Sequence, residues 1–203
     1  MNIIIKPYGS ALCYCRPDTT WERENRDFYS PECVNELLWA PVIFARISKA
    51  GKCIGTKFAS RYYDAVGCGM LMYGAIDFSE SDSPLAGPAC AHISSCIDHT
   101  SILPMPMYAP EVLENEKALI VDVTVNGAYG PVVQHNETRI PDSSREMLEE
   151  AICKASQLTS LRIGDYVAVE MASLARLADK SAGEVAVQGT FCENGIFGFK
   201  LIF

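Results

Sequence analysis

Short segments rich in β-branched and apolar residues recur along this chain: 2–6, 42–47, 67–77, 118–125, 166–170, 184–190 and 196–203. Runs of this length and composition are strand signals, and their number predicts a mostly β fold of the α+β class. Two turns help to place them. Asn126-Gly127 predicts a hairpin between 120–125 and 132–135, and Gly164-Asp165 predicts the turn into 166–170. Helical signals are fewer. From 143 to 157, Met147, Leu148, Ala151, Ile152 and Ala155 form one stripe, and Ser143 with Glu146 has the spacing of a capping box. A second helix is expected over 55–64, with Phe58 and Tyr62 on one face. With 203 residues the chain suits one domain, 1–203.

Composition narrows the function classes. Of the residues 49% are hydrophobic and 21% charged, which suits a packed core and excludes a disordered chain. The formal net charge is −8, with no basic run, so neither nucleic acid nor an anionic membrane surface is an expected partner. No apolar run reaches the ~20 residues that span a bilayer, and Lys6, Pro7 and Gly9 interrupt the start, so a cytoplasmic protein is expected. Nine cysteines are an odd number in a chain of this size, and most read as reduced, buried small hydrophobes. The proline-rich stretch 79–110 reads as a long connection with one or two short strands, and such connections usually border a site.

Several motifs, in order, resemble the fumarylacetoacetate hydrolase family, in particular its smaller members that act on acylpyruvates, oxaloacetate and related 2-keto acids. Arg16-Pro17-Asp18-Thr19 resembles the family's Lys-Pro-Asp-Thr. Gly51-Lys52-Cys53-Ile54, Phe58-Ala59, Arg61-Tyr62-Tyr63-Asp64 and Gly67-x-Gly69 resemble the helix after its metal-bearing strand and the start of the next strand. Val125-Asn126-Gly127 with Val133-Gln134 and Thr138 resembles its Asn-Gly hairpin, and Ser160 to Val167 its Gly-Asp turn. The resemblance implies a rolled, mixed β-sandwich with a few short helices, usually dimeric.

It also implies a metal site that this sequence does not supply. Catalytic members hold Mg²⁺ or Mn²⁺ on an acid-x-acid pair of one strand, whose i and i+2 side chains share a face, and on an Asp of a following strand. By the motif spacing these ligands fall on Ala40, Val42 and Leu71, which carry no side-chain oxygen; a slip in register would bring at most Glu36 into play. The family's lysine falls on Ser95, and its Thr-Gly-Thr-Pro loop on Val169-Glu170-Met171-Ala172. Members also carry a His and a Glu on an N-terminal lid, whereas this chain begins just before the Pro-Asp-Thr motif. The expected pocket remnant is Ala40, Val42, Leu71, Ser95, Gln134, His135 and Thr138, with no catalytic residue and no cofactor.

Other constellations are weaker. Cys90, His92, Cys96 and His99 have zinc-ligand chemistry, but four ligands within ten residues are cramped, and buried cysteines beside hydrogen-bonded histidines are the plainer reading. The same residues read as a Cys/His nucleophile pair only without a supporting elbow or oxyanion loop. The acids of 77–82 read as a solvated loop. The first expectation is therefore a metal-free pseudoenzyme: a binding or interaction protein, as a homodimer or with a catalytic paralogue, able to take a small organic acid. The alternative is a divergent hydrolase, lyase or isomerase that keeps a 2-keto or diketo acid substrate in a rebuilt site.

Overall fold

The computed structural model describes residues 1–76, 93–115, 118–127 and 130–203. Its strands are β1 (Ile3–Lys6), β2 (Tyr14–Arg16), β3 (Trp21–Glu22), β4 (Phe28–Tyr29), β5 (Val34–Ile47), β6 (Tyr63–Ile76), β7 (Ser101–Ile102), β8 (Ala118–Gly127), β9 (Gly130–Arg139), β10 (Tyr166–Glu170), β11 (Ala175–Asp179), β12 (Glu184–Phe191) and β13 (Asn194–Ile202). Among the described residues they are joined by the single turn α1 (Val112–Asn115) and by α2 (Ser144–Leu158). One sheet runs β2-β1-β10-β5-β6-β7-β3, with β11 also on β5; the second runs β4-β13-β12-β8-β9. This is the mixed, mostly β sandwich expected. Among the described residues no helix is long and apolar enough to cross a membrane.

The spine is the antiparallel pair β5–β6, in register from Val34↔Ile76 to Ile47↔Tyr63. Both strands are apolar almost throughout because both of their faces are covered. Ile43, Ala45, Val66 and Met70 face a large core shared with Leu148, Ala151 and Ile152 of α2 and with Val121, Val187 and Phe199 of the second sheet. The larger of these side chains, fully buried, each contribute about 1.5–3 kcal/mol. On the other face Ile3, Ile5, Val42, Phe44, Leu71, Tyr73, Leu103, Tyr166 and Ala168 form a smaller cluster. Contacts between residues near the two ends of the first sheet close the roll around this cluster. The Arg16 guanidinium on β2 donates through Nη2 to Met72 O at 3.0 Å and through Nη1 to Ser101 Oγ at 3.2 Å.

Several local expectations change in the folded chain. Strand 42–47 is the second half of β5, whose first half was hidden by Glu36 and Pro41. Proline is tolerated in this interior strand because it lies where β5 changes partners, between the β10 pairing that ends at Val42↔Glu170 and the β11 pairing that begins at Trp39↔Ala175. The capping box does not form, since Ser143 makes no side-chain cap hydrogen bond. The segment expected as a helix over 55–64 is a 3₁₀ turn, Thr56–Arg61, followed at once by β6. Its three-residue repeat puts Ala59 inward and leaves Phe58 52% exposed. Asp165 behaves as the turn residue expected: buried, it accepts from Asn2 N at 2.7 Å and Arg162 N at 2.8 Å, which ties β1 to β10.

Gly69 has no room for a side chain, because a Cβ there would lie 2.2 Å from the carbonyl oxygen of Ile102 on β7. The obstacle is backbone, so β6 and β7 would have to separate. Gly69→Ala should cost about 1–3 kcal/mol, read as a lower urea midpoint with little change in slope.

Candidate functional site

Strand register decides which side chains meet inside the roll. Val42 lies opposite Gly69 on β6 and Glu170 on β10, Ala40 opposite Leu71, and Leu38 opposite Tyr73. Ile5 lies opposite Tyr14 on β2 and Ala168 on β10, and Ile3 opposite Arg16 and Tyr166. Ala40, Val42 and Leu71 are thus neighbours, all at 0% exposure. They floor the roll and do not line its opening. The opening is a cleft of about 410 Å³ lined by Tyr14, Tyr73, Ser94, Ser95 and Glu170, with Pro7 and Leu174 as apolar walls.

Polar contacts in the cleft form a chain. Tyr14 Oη is 2.7 Å from Tyr73 Oη, and Tyr73 Oη donates to Glu170 Oε1. Glu170 Oε2 accepts from the Tyr8 backbone N–H at 2.9 Å, so both oxygens of this 4% exposed carboxylate are held. Behind the chain, the Arg16 guanidinium lies 4.2 Å from the centroid of the Tyr73 ring, within cation–π range. Arg16 is 2% exposed, and besides Met72 and Ser101 its Nη1 donates to Thr100 O and Oγ1, both at 3.3 Å. Tyr73 therefore has a cation on its face and a carboxylate at its hydroxyl. Burial pushes its phenol far above the ordinary range, Arg16 opposes the rise, and Tyr14 and Glu170 add to it.

Of the residues expected in one pocket, only Ser95 lines this cleft. Gln134, His135 and Thr138 lie on β9, the outer strand of the other sheet, in the hairpin with β8; Asn126 and Gly127, expected as its turn, are instead paired in β8 with Pro131 and Gly130. Gln134 borders a separate cavity with Arg176 and Asp179, and His135 Nδ1 lies 2.7 Å from Asp122 Oδ1 at the surface. Glu36 is engaged by Arg176 Nε at 2.9 Å. Cys90, His92 and the acids of 77–82 lie outside the described residues. Cys96 and His99 border a third cavity, where His99 Nδ1 is 2.9 Å from Glu22 Oε2. Among the described residues no group of three or more His, Cys, Asp or Glu is placed to hold a metal ion.

Tyr14, Tyr73, Arg16 and Glu170 were not singled out as a site from the sequence. One signal was available: Glu170 ends the otherwise apolar run Tyr-Val-Ala-Val-Glu, and a buried carboxylate requires donors. Tyr73 lies within the apolar run of β6, and its neighbours arrive from β2 and β10, far away in sequence.

The family's divalent cation does not fit the residues found here. A hard cation needs several oxygen ligands, whereas positions 40, 42 and 71 offer only hydrocarbon and the two oxygens of Glu170 are already hydrogen-bonded. Mg²⁺ or Mn²⁺ added to chelated protein should leave its melting temperature unchanged, since only a cation bound by the folded state raises it. A shift with zinc alone would direct attention to Cys90, His92, Cys96 and His99. Alkali should act differently. Tyr73 is held neutral by burial, and Tyr63, buried and beside Glu149, is pushed up to about 12. Unfolded phenols ionise near pH 10, so this stabilisation is complete below about pH 10 and is lost as pH rises through the folded values. Melting temperatures should fall from about pH 10 to 12, less steeply in Tyr73→Phe.

No family model matches the sequence, and no curated protein matches it. Solved structures do match over nearly the whole chain. Fumarylpyruvate hydrolase from Pseudomonas aeruginosa, in complex with Mn²⁺ and pyruvate, superposes with TM-score 0.70 at 12% identity, covering 100% of this chain and 90% of that one. A Yersinia pestis CO92 protein assigned to the fumarylacetoacetate hydrolase family gives 0.69 at 11% identity, covering 99% and 92%. The 5-carboxymethyl-2-hydroxymuconate delta-isomerase of Mycobacterium smegmatis gives 0.68 at 13% identity, covering 99% and 78%. The chain has the fold of the fumarylacetoacetate hydrolase family.

Proposed function

We propose that this protein is an enzyme of the hydrolase, lyase or isomerase type that acts on a small 2-keto or diketo acid at a rebuilt site, the cleft around Glu170, Tyr73 and Tyr14. The observation that carries the reading is the buried Glu170 carboxylate at the open end of the roll, in hydrogen-bond contact with a tyrosine pair. Buried carboxylates on apolar strands are costly unless they are paired, and Glu170 is paired by Tyr73 and the Tyr8 amide where it borders a cleft. Support comes from the solved structures that share the fold, which include hydrolases of fumarylpyruvate and maleylpyruvate and an isomerase of 2-hydroxyhepta-2,4-diene-1,7-dioate. A second carboxylate beside Glu170 would meet its charge, so a bound keto acid presents its carbonyl or enol to the tyrosines and keeps its carboxylate towards the mouth.

A second reading is favoured by the sealed hydrocarbon at Ala40, Val42 and Leu71: a binding or interaction protein without catalysis, as a homodimer or beside a catalytic relative. Purified protein assayed against acetylpyruvate, oxaloacetate and the enol of phenylpyruvate separates the two. Turnover of at least one compound is expected, with Glu170→Gln slower by about 10²-fold or more, the usual share of a positioned acid or base. Saturable binding without turnover would give the second reading, and neither binding nor turnover would overturn the assignment of the cleft.

A further inference from the structure

Resting on that assignment of the cleft, we propose that Tyr14 Oη is the atom that exchanges a proton with the ligand and that Tyr14, Tyr73 and Glu170 form a proton relay for keto–enol interconversion of a 2-keto acid. The direction of the relay follows from counting protons. Each phenol has one. With Glu170 ionised, Tyr73 commits its proton to Oε1, so in the 2.7 Å contact Tyr73 Oη accepts and Tyr14 donates. Tyr14, half-buried on the cleft wall, is left with a lone pair for a ligand hydroxyl. With Glu170 protonated, every donor reverses, and Tyr14 presents its O–H to a ligand carbonyl. The two states of the relay match the two tautomers of one substrate.

In the ketonising direction the enol hydroxyl gives its proton to Tyr14 Oη, Tyr14 passes its own to Tyr73 Oη, and Tyr73 passes its own to Glu170 Oε1. The enol oxygen's electron pair forms the C2=O bond as the C2=C3 π pair takes a proton at C3 from water at the open mouth. Once the ketone has left, the relay runs back from Glu170 through Tyr73 and Tyr14 and gives a proton to water at the mouth, replacing the one taken by C3. The substrate is isomerised with no net gain or loss of protons, and no co-reactant is consumed. Arg16 does not touch the ligand. Its guanidinium on the Tyr73 ring keeps a positive charge beside the phenol through which the proton passes, which makes it a positioning residue.

The test is the ketonisation of enol phenylpyruvate, followed by loss of enol absorbance, for the wild type, Tyr14→Phe, Tyr73→Phe and Glu170→Gln. Tyr73→Phe keeps the ring against Arg16 and interrupts the relay, but it also removes the donor to Glu170 Oε1, so its melting temperature below pH 9 checks the fold. It should lower kcat by about ten-fold or more with a smaller change in KM, within the range of general acid–base effects. In mixtures of H₂O and D₂O the wild-type rate should curve with deuterium fraction, as several protons move together, and the variant should respond linearly. A folded Tyr73→Phe with wild-type kcat and a curved response would overturn the relay. Wild-type turnover of acetylpyruvate or oxaloacetate without enol ketonisation would overturn it while leaving the keto-acid reading in place. Inactivity on all three would remove both.

Discussion

Arg16 is a charged side chain held 2% exposed between residues near the two ends of a curled sheet, and the closure of that sheet depends on it. Its strand, β2, lies at one edge, while its acceptors, Met72, Thr100 and Ser101, come from β6 and from the approach to β7 towards the other. Hydrogen bonds from a charged donor are each worth about 1.5–3 kcal/mol, and here they join β2 to a Thr100 carbonyl that also accepts from Met72 N. The same side chain stacks on Tyr73, so closing the roll also fixes the tyrosine that reaches Glu170. Fold closure and site geometry are one arrangement of residues.

The roll carries two kinds of interior. Most of it is hydrocarbon, including Ala40, Val42 and Leu71, where the family's ligand pattern would put carboxylates. A few ångströms along the same face the interior turns polar, with Arg16, Tyr73, Tyr14 and Glu170 each answering another's burial. An apolar floor beneath a satisfied polar group excludes water from below and leaves one open side, which is the condition for directed proton transfer. Shared architecture does not carry chemistry with it, because function follows from the site and not from the fold.

The strands and α2 were legible because each answers to local physics. Tyr166–Glu170 appears with the bounds expected, and Leu148, Ala151 and Ile152 of α2 are buried along the expected stripe. Where competing local signals met, tertiary pairing decided: Pro41 lies within a fourteen-residue strand because β5 changes partners there, and 56–61 winds as 3₁₀ because β6 starts at Tyr63.

The sequence by itself determined the mostly β class, the β8–β9 hairpin, the Gly-Asp turn and the long helix, because these depend on short-range pattern along the chain; Asn126 and Gly127, expected as the turn, instead pair within the hairpin's strands with Pro131 and Gly130. Only the tertiary structure decided that Gln134, His135 and Thr138 lie on the edge strand of the other sheet, and that Tyr14, Tyr73, Arg16 and Glu170 meet. Those four come from β2, β6 and β10, and what joins them is the curl of a sheet, whose register and closure are set by pairings across as many as 163 positions, as between Asn2 and Asp165.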